Sequence, residues 1–175
     1  MKYKILIIFF LLITLNTYSY GQTIAYANLD KVIKSSEVGK KIINYFYEKN
    51  EKMISKIKLN ENEIREKEKS LISQKNVLQA DEYNKKVNLI KSEIKDFNIN
   101  RKKQIDVLNI EKDKVSKSFL IEINKILRDY AEENNIDIIL SSNQMLVGKS
   151  NLDVTENIIT KVNKKITKFE IKVNE

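Results

Sequence analysis

The sequence predicts a mainly α-helical protein with a small β base, in which a long antiparallel, coiled-coil-like helical hairpin projects from a short-stranded body. Three observations carry this reading. Between Lys40 and Val147 there is neither Gly nor Pro. These are the strongest breakers of regular structure, and strands need frequent turns, so a stretch of this length points to long helices. Two apolar stripes at coiled-coil spacing are separated by a short polar break at Gln79-Ala80-Asp81-Glu82. Short β-type runs lie near the two ends, at Thr23–Leu29 and Ile136–Ser141.

The first residues read as an address. Lys2 and Lys4 form a basic segment, Ile5 to Ile13 is an unbroken apolar run, and Thr14 to Gly21 turns small and polar. This is the three-part layout of a secretory signal peptide. The apolar run is shorter than the roughly 20 residues needed to span a bilayer. Ser19 and Gly21 suit cleavage before Gln22, with cleavage after Ser19 as the alternative. Residues 1–21 are therefore expected to be a signal peptide and 22–175 a single domain. Its base would be 22–36 with 134–168, its arm 37–133 and its tip near 79–82. Removal of Lys2 and Lys4 lowers the net charge from +8 to +6.

Along the mature chain, Thr23–Leu29 reads as a strand with Ile24 and Tyr26 as base residues. Asp30 is expected to cap a short helical turn, Lys31–Lys34. Ser35 and Ser36 offer N-caps for the first long helix, with Glu37 in its first turn, where the helix dipole favours a negative charge. The seam of this arm is read as Ile43, Tyr47, Asn50, Ile54, Ile57, Glu61, Ile64, Glu68, Leu71, Lys75 and Leu78. Its polar members predict a weak, compliant packing. Asp81 suits the N-cap of the return arm. That arm carries Tyr83, Val87, Ile90, Ile94, Phe97, Arg101, Gln104 and Leu108, then shifts register to Val115, Phe119, Ile123, Ile126 and Tyr130. Arms of this length would reach roughly 60 to 75 Å.

After Asn134-Asn135, the run Ile136–Ser141 reads as a strand with Ile136, Ile138 and Leu140 on one face. Gln144–Val147, with Leu146, is expected to be a second short strand. Asp153 and Glu156 have the spacing of a capping box for a terminal helix with Val154, Ile158, Ile159, Val162 and Ile166 at helical spacing. Phe169–Glu175 reads as a frayed tail.

The chain has no Cys and no His. That removes cysteine nucleophiles, His-containing triads and nearly all zinc chemistry, and no disulfide can form. Asp30, Asp137 and Asp153 each stand at an element boundary, where capping and turn formation account for them. No catalytic residue, cofactor or metal site is assigned, and the protein is not read as an enzyme. Lys and Glu alternate along the arms without interleaved aromatic platforms, which argues against nucleic acid as a partner.

Two segments resemble the Skp/OmpH family of periplasmic chaperones. IAYANLDKVIKSSEVGKK matches its opening in layout: a strand, a short helical turn, then a Gly near the start of the long helix. NNIDIILSSNQMLVGKSNLDVTENIITKVN matches its ending, with Asp137-Ile138-Ile139 and Asp153-Val154-Thr155 at the places of the family's strand and helix-start motifs. The arms match in length and helical character only. The resemblance implies a jellyfish-like homotrimer, in which three chains pool their short strands and three hairpins surround a cavity. It implies an ATP-independent periplasmic holdase for unfolded outer-membrane β-barrel proteins. On it, Ile24, Tyr26, Ile136, Ile138, Leu140 and Leu146 are expected at the trimer base. Phe119 and Tyr130 are expected to be core. Tyr83 and Phe97, nearer the tip, are candidates for client contact or for packing within the hairpin. The basic clusters Lys85-Lys86 and Arg101-Lys102-Lys103 suggest weak contact with acidic lipid or lipopolysaccharide, with a solvated helix face as the plainer reading. The alternative function is a structural coiled-coil or adaptor protein of the envelope without chaperone activity.

Overall fold

The computed structural model describes residues 21–171, so the expected signal segment lies almost wholly outside the described residues. Strand β1 is Ile24–Ala27, followed by α1 (Leu29–Ser35), α2 (Glu37–Ser73), α3 (Ala80–Glu133), β2 (Ile138–Ser141) and α4 (Thr155–Lys165). Single 3-10 turns at Ser142–Gln144 and Ser150–Leu152 fill the link between β2 and α4. β1 and β2 pair in parallel, Ile24 opposite Ile138 and Ala27 opposite Ser141, so the whole hairpin is the crossover between them. At about 1.5 Å per residue, α2 is about 55 Å long and α3 about 80 Å. Cross-arm ion pairs Lys49–Glu111 (2.5 Å) and Lys67–Glu93 (2.7 Å) show the antiparallel run of α2 against α3.

Helix ends are set by local hydrogen bonds. The expected cap of α1, Asp30, lies instead in its first turn, and Asn28 accepts from Lys31 N (2.9 Å). Two residues earlier, the Asn28 side chain reaches a free N–H group that Asp30 would miss. Ser36 ends α1 and caps α2, its Oγ accepting from Gly39 N (3.2 Å). The reversal occupies Gln74–Gln79 rather than 79–82. Gln79 stands at the N-cap of α3, and Asp81 and Glu82 fall in the first turn, where the helix dipole favours them. At the far end of α3, Asn135 takes a positive φ of 53°. Ile136 N donates to Ala131 O (2.9 Å) and Asn135 N to Glu132 O (3.4 Å), the bond pattern of a Schellman stop.

The core sits where the root of the hairpin meets the sheet and α4. Ala25, Ala27, Val32, Val38, Ile42 and Phe46 pack there with Val115, Phe119, Ile123, Ile126 and Tyr130, and with Val154, Ile158, Ile159 and Val162. The return-arm stripe is as expected. The first arm differs at its root: Ile42 and Phe46 are buried, while Ile43 and Tyr47 are exposed. A straight helix drifts about 20° per heptad against a 3.5-residue repeat. Over the four heptads from Ile43 to Leu71 that is about 80°, close to the 100° of one residue. A seam that fits Ile57, Ile64 and Leu71 is therefore one residue out at the root.

Three further expectations are corrected. Gln144–Val147 forms no strand in the single chain: a 3-10 turn leads into an extended link, and Leu146 is fully exposed. The outer edge of β1 is taken instead by an isolated bridge from Tyr26 to Asp153, with Val154 N donating to Tyr26 O (2.9 Å). Asp153 does not cap α4 through a box with Glu156. Its Oδ1 accepts from Thr155 N (2.9 Å) two residues on, as Asp does in Asx-turns, and Glu156 pairs with Lys31 (2.6 Å). The tail is docked as far as described, because Phe169 and Ile171 pack against the core and the Phe169 ring meets Phe119 edge-on at 5.5 Å.

Gly39 is required by close approach. A Cβ there would lie 1.6 Å from the carbonyl oxygen of Ile33, so α1 and α2 meet backbone to backbone. Gly39→Ala is expected to force that junction apart and to cost on the order of 3 kcal/mol, read as a shifted denaturant midpoint.

Candidate functional site

Two surfaces stand out once the core is accounted for. The first is one face of the sheet. Ala25, Ala27 and Ile139 turn toward the core, so strand alternation turns Ile24, Tyr26, Ile138 and Leu140 the other way. Ile24, Ile138 and Leu140 remain 40%, 41% and 37% exposed, an apolar face on an element too small to be stable alone. The link after β2 folds over Tyr26: a Cβ on Gly148 would lie 3.0 Å from its ring. Leu146 and Val147 project from this link into solvent. Of the six residues expected at the base, Ile136 alone belongs to the chain's own core, just beyond the Schellman stop.

Polar side chains at the base serve the fold. Asp137 Oδ2 accepts from Thr23 N (2.7 Å) and so latches the start of β1. Asn163 Oδ1 accepts from Glu37 N (2.9 Å), and Asn157 donates to the Tyr130 hydroxyl (2.9 Å). Lys165 ties α4 to Asp129 of α3 (2.5 Å). Its ammonium holds the Asp129 carboxyl below the usual 3.8, by hydrogen bonding first and charge attraction second. The same bond pushes Lys165 above 10.5. The depressed carboxyl adds stability above its unfolded-state value, and that share is lost as the pH falls through the lowered native value. The raised lysine adds stability below 10.5 and loses it as the pH rises through the native value. With no His in the chain, the melting temperature is expected to stay flat from about pH 5 to 8, to fall below about pH 4, and to fall again at alkaline pH as Lys165 titrates above 10.5.

The second surface is the pair of arms. Leu71 and Leu108 are the buried residues of the hairpin beyond its root, among those described. The other apolar seam residues, including Tyr83 and Phe97, are half-buried. Phe97 lines a cleft between the arms with Ile57 and Ile64, and Arg101 lies 5.9 Å over its ring. Tyr83 lies in the first turn of α3 beside the reversal, so the two expected contact residues are not brought together. The expectations missed apolar residues off the seam: Leu59, Leu89, Ile99, Val107 and Ile110 are 45% to 65% exposed. Their signal was an apolar side chain at a heptad position that should be polar. Nearer the root, a groove of about 940 Å³ opens along one side of the hairpin, with Met53, Leu59 and Val107 among its apolar lining.

The family model for outer membrane protein (OmpH-like) matches residues 23–162, which span the sheet, both arms and most of α4. The chain belongs to the OmpH-like family. No curated protein matches it in sequence. Among solved structures it is similar to a Caulobacter crescentus CB15 protein proposed to be an OmpH-like outer membrane chaperone. The TM-score is 0.80 at 10% identity, over 89% of this chain and 92% of that one. This OmpH-like chain thus keeps the family fold with almost none of the neighbour's residues, and its last described residues, Asn163–Ile171, extend past the family match. No described helix is long and apolar enough to cross a membrane.

Proposed function

We propose that this OmpH-like protein is an ATP-independent holdase of the periplasm that keeps unfolded outer-membrane proteins from aggregating. One observation supports this beyond family membership: Leu59, Leu89, Ile99, Val107 and Ile110 stand exposed along arms that have almost no core of their own. Isolated apolar side chains on a long compliant hairpin make many weak contacts that release as readily as they form. The net charge of +8, or +6 without residues 1–21, attracts acidic chains at modest salt.

The working unit in this reading is a homotrimer, joined through Ile24, Tyr26, Ile138 and Leu140, with Leu146 of the projecting link as a further contact. Association covers the open edge of β2 and the apolar sheet face together. Export by a cleaved signal peptide ending near Gly21 places it in the periplasm. Weak contact of the basic arms with acidic lipid or lipopolysaccharide is a secondary part of the proposal, and no catalysis is assigned.

The test is dilution of a urea-unfolded β-barrel protein into buffer containing residues 22–175 without nucleotide, followed by turbidity. Suppression near one trimer per client is expected. A folded helical protein that leaves turbidity unchanged would favour the alternative, a structural envelope adaptor.

A further inference from the structure

We propose that the groove between the arms at Met53, Leu59 and Val107 binds an extended client segment in which apolar and acidic residues alternate. The inference rests on the holdase reading and locates a contact site within one hairpin.

The groove opens beside the seam: at this level Leu108 is buried and Ile54 and Ile57 are half-buried, whereas Met53, Leu59 and Val107 form an apolar floor that the arms leave open on one side. Lys49 is consumed by Glu111 across the arms. Lys52, Lys56 and Lys103 border the same groove, are exposed, and form no ion pair among the described residues. Glu51 also lines the groove, so three ammonium groups outside ion pairs face one such carboxylate, and that balance around an apolar floor favours an occupant that is both apolar and anionic.

The shape narrows it further. The lining runs from Lys49 to Leu59 on α2, a rise of about 15 Å along the helix. An extended chain advances about 3.3 Å per residue, so the groove holds four to five residues, roughly one short strand. In such a segment alternate side chains point to opposite sides. One set would meet the floor, and carboxylates in the other set would lie within reach of the long, flexible lysines at the rim. Strands of outer-membrane barrels carry that alternation, apolar outward and polar inward.

The test uses the mature full chain and a fluorescein-labelled octapeptide of alternating Val and Asp, read by anisotropy. The peptide is expected to bind, and its Lys-for-Asp counterpart is expected not to. Binding should weaken at least tenfold in K52E/K56E/K103E and in L59Q/V107Q, whose altered side chains are exposed, so that circular dichroism stays unchanged. No binding to the wild type, or equal binding to both variants, would overturn the groove. Vesicles of phosphatidylglycerol that bind the wild type, lose that binding in K52E/K56E/K103E and displace the peptide would assign these lysines to a lipid surface and overturn it as well. Turbidity measured alongside keeps the two proposals apart. Variants that still suppress aggregation while peptide binding is unchanged leave the holdase standing without this groove, whereas a wild type that suppresses nothing removes the holdase itself.

Discussion

Ile138→Asp is expected to give a folded, helical monomer in place of a trimer. In the single chain Ile138 is 41% exposed and stands on the outward face of β2 with Leu140. Its neighbour Ile139 and the opposing Ala25 hold the sheet to the core, and neither is altered. A carboxylate at position 138 therefore costs little within one chain, and far-UV circular dichroism should be unchanged. In an assembly that covers this face, the same carboxylate is buried without a partner, at a cost on the order of 3 kcal/mol or more per copy. Light scattering should then report the single-chain mass. Ile121→Asp, at a still more exposed apolar site on α3, is the control and should leave the mass unchanged. A trimer that survives Ile138→Asp would place the interface elsewhere, and a monomeric wild type would remove the assembly altogether.

The contrast between Ile138 and Ile136 shows what sequence pattern conveys and what it leaves out. Alternation puts 136, 138 and 140 on one face only while the chain is a strand. The Schellman stop at Asn135 delays β2 to Ile138, so Ile136 is still leaving the helix and packs inward. The long stripe of α3 was legible because each of Val115, Phe119, Ile123, Ile126 and Tyr130 repeats the same environment, and local errors do not accumulate. The α2 stripe was legible at Ile54, Ile57, Ile64 and Leu71 and failed at Ile43 and Tyr47, where the drift of a straight helix against the heptad has moved the buried face by one residue. Caps were less legible. Asn28 and Asp30 are both good cap residues, and the choice turns on which backbone N–H is left free. The off-seam apolar residues left a signal in the pattern, but the groove they form did not. Leu59 and Val107 belong to different helices, and only the pairing of the arms brings them to one side of the hairpin.

Phe119→Ala is expected to be the most destabilising truncation in the chain. Phe119 is 2% exposed at the junction of α3 with the base, among the largest side chains that are fully buried. Truncating a buried phenylalanine costs about 3 to 5 kcal/mol, through lost transfer and the cavity left behind. Its edge-on contact with Phe169 adds about 0.5 to 1.5 kcal/mol beyond area. Domains of this size have only about 5 to 15 kcal/mol to lose. The melting temperature should fall on the order of 10 °C, compared at equal chain concentration because assembly adds its own stabilisation. Phe97→Ala, on the half-buried cleft of the arms, should cost about 1 kcal/mol and leave the base intact. Phe169→Ala separates two views of the tail. If the last described residues hold the base to the arm as the ring contact indicates, this change destabilises and its effect is less than additive with Phe119→Ala, since the two rings share one contact. A neutral Phe169→Ala would mean that the tail contributes nothing in solution, and the fall caused by Phe119→Ala would then come from α3, α4 and the sheet alone.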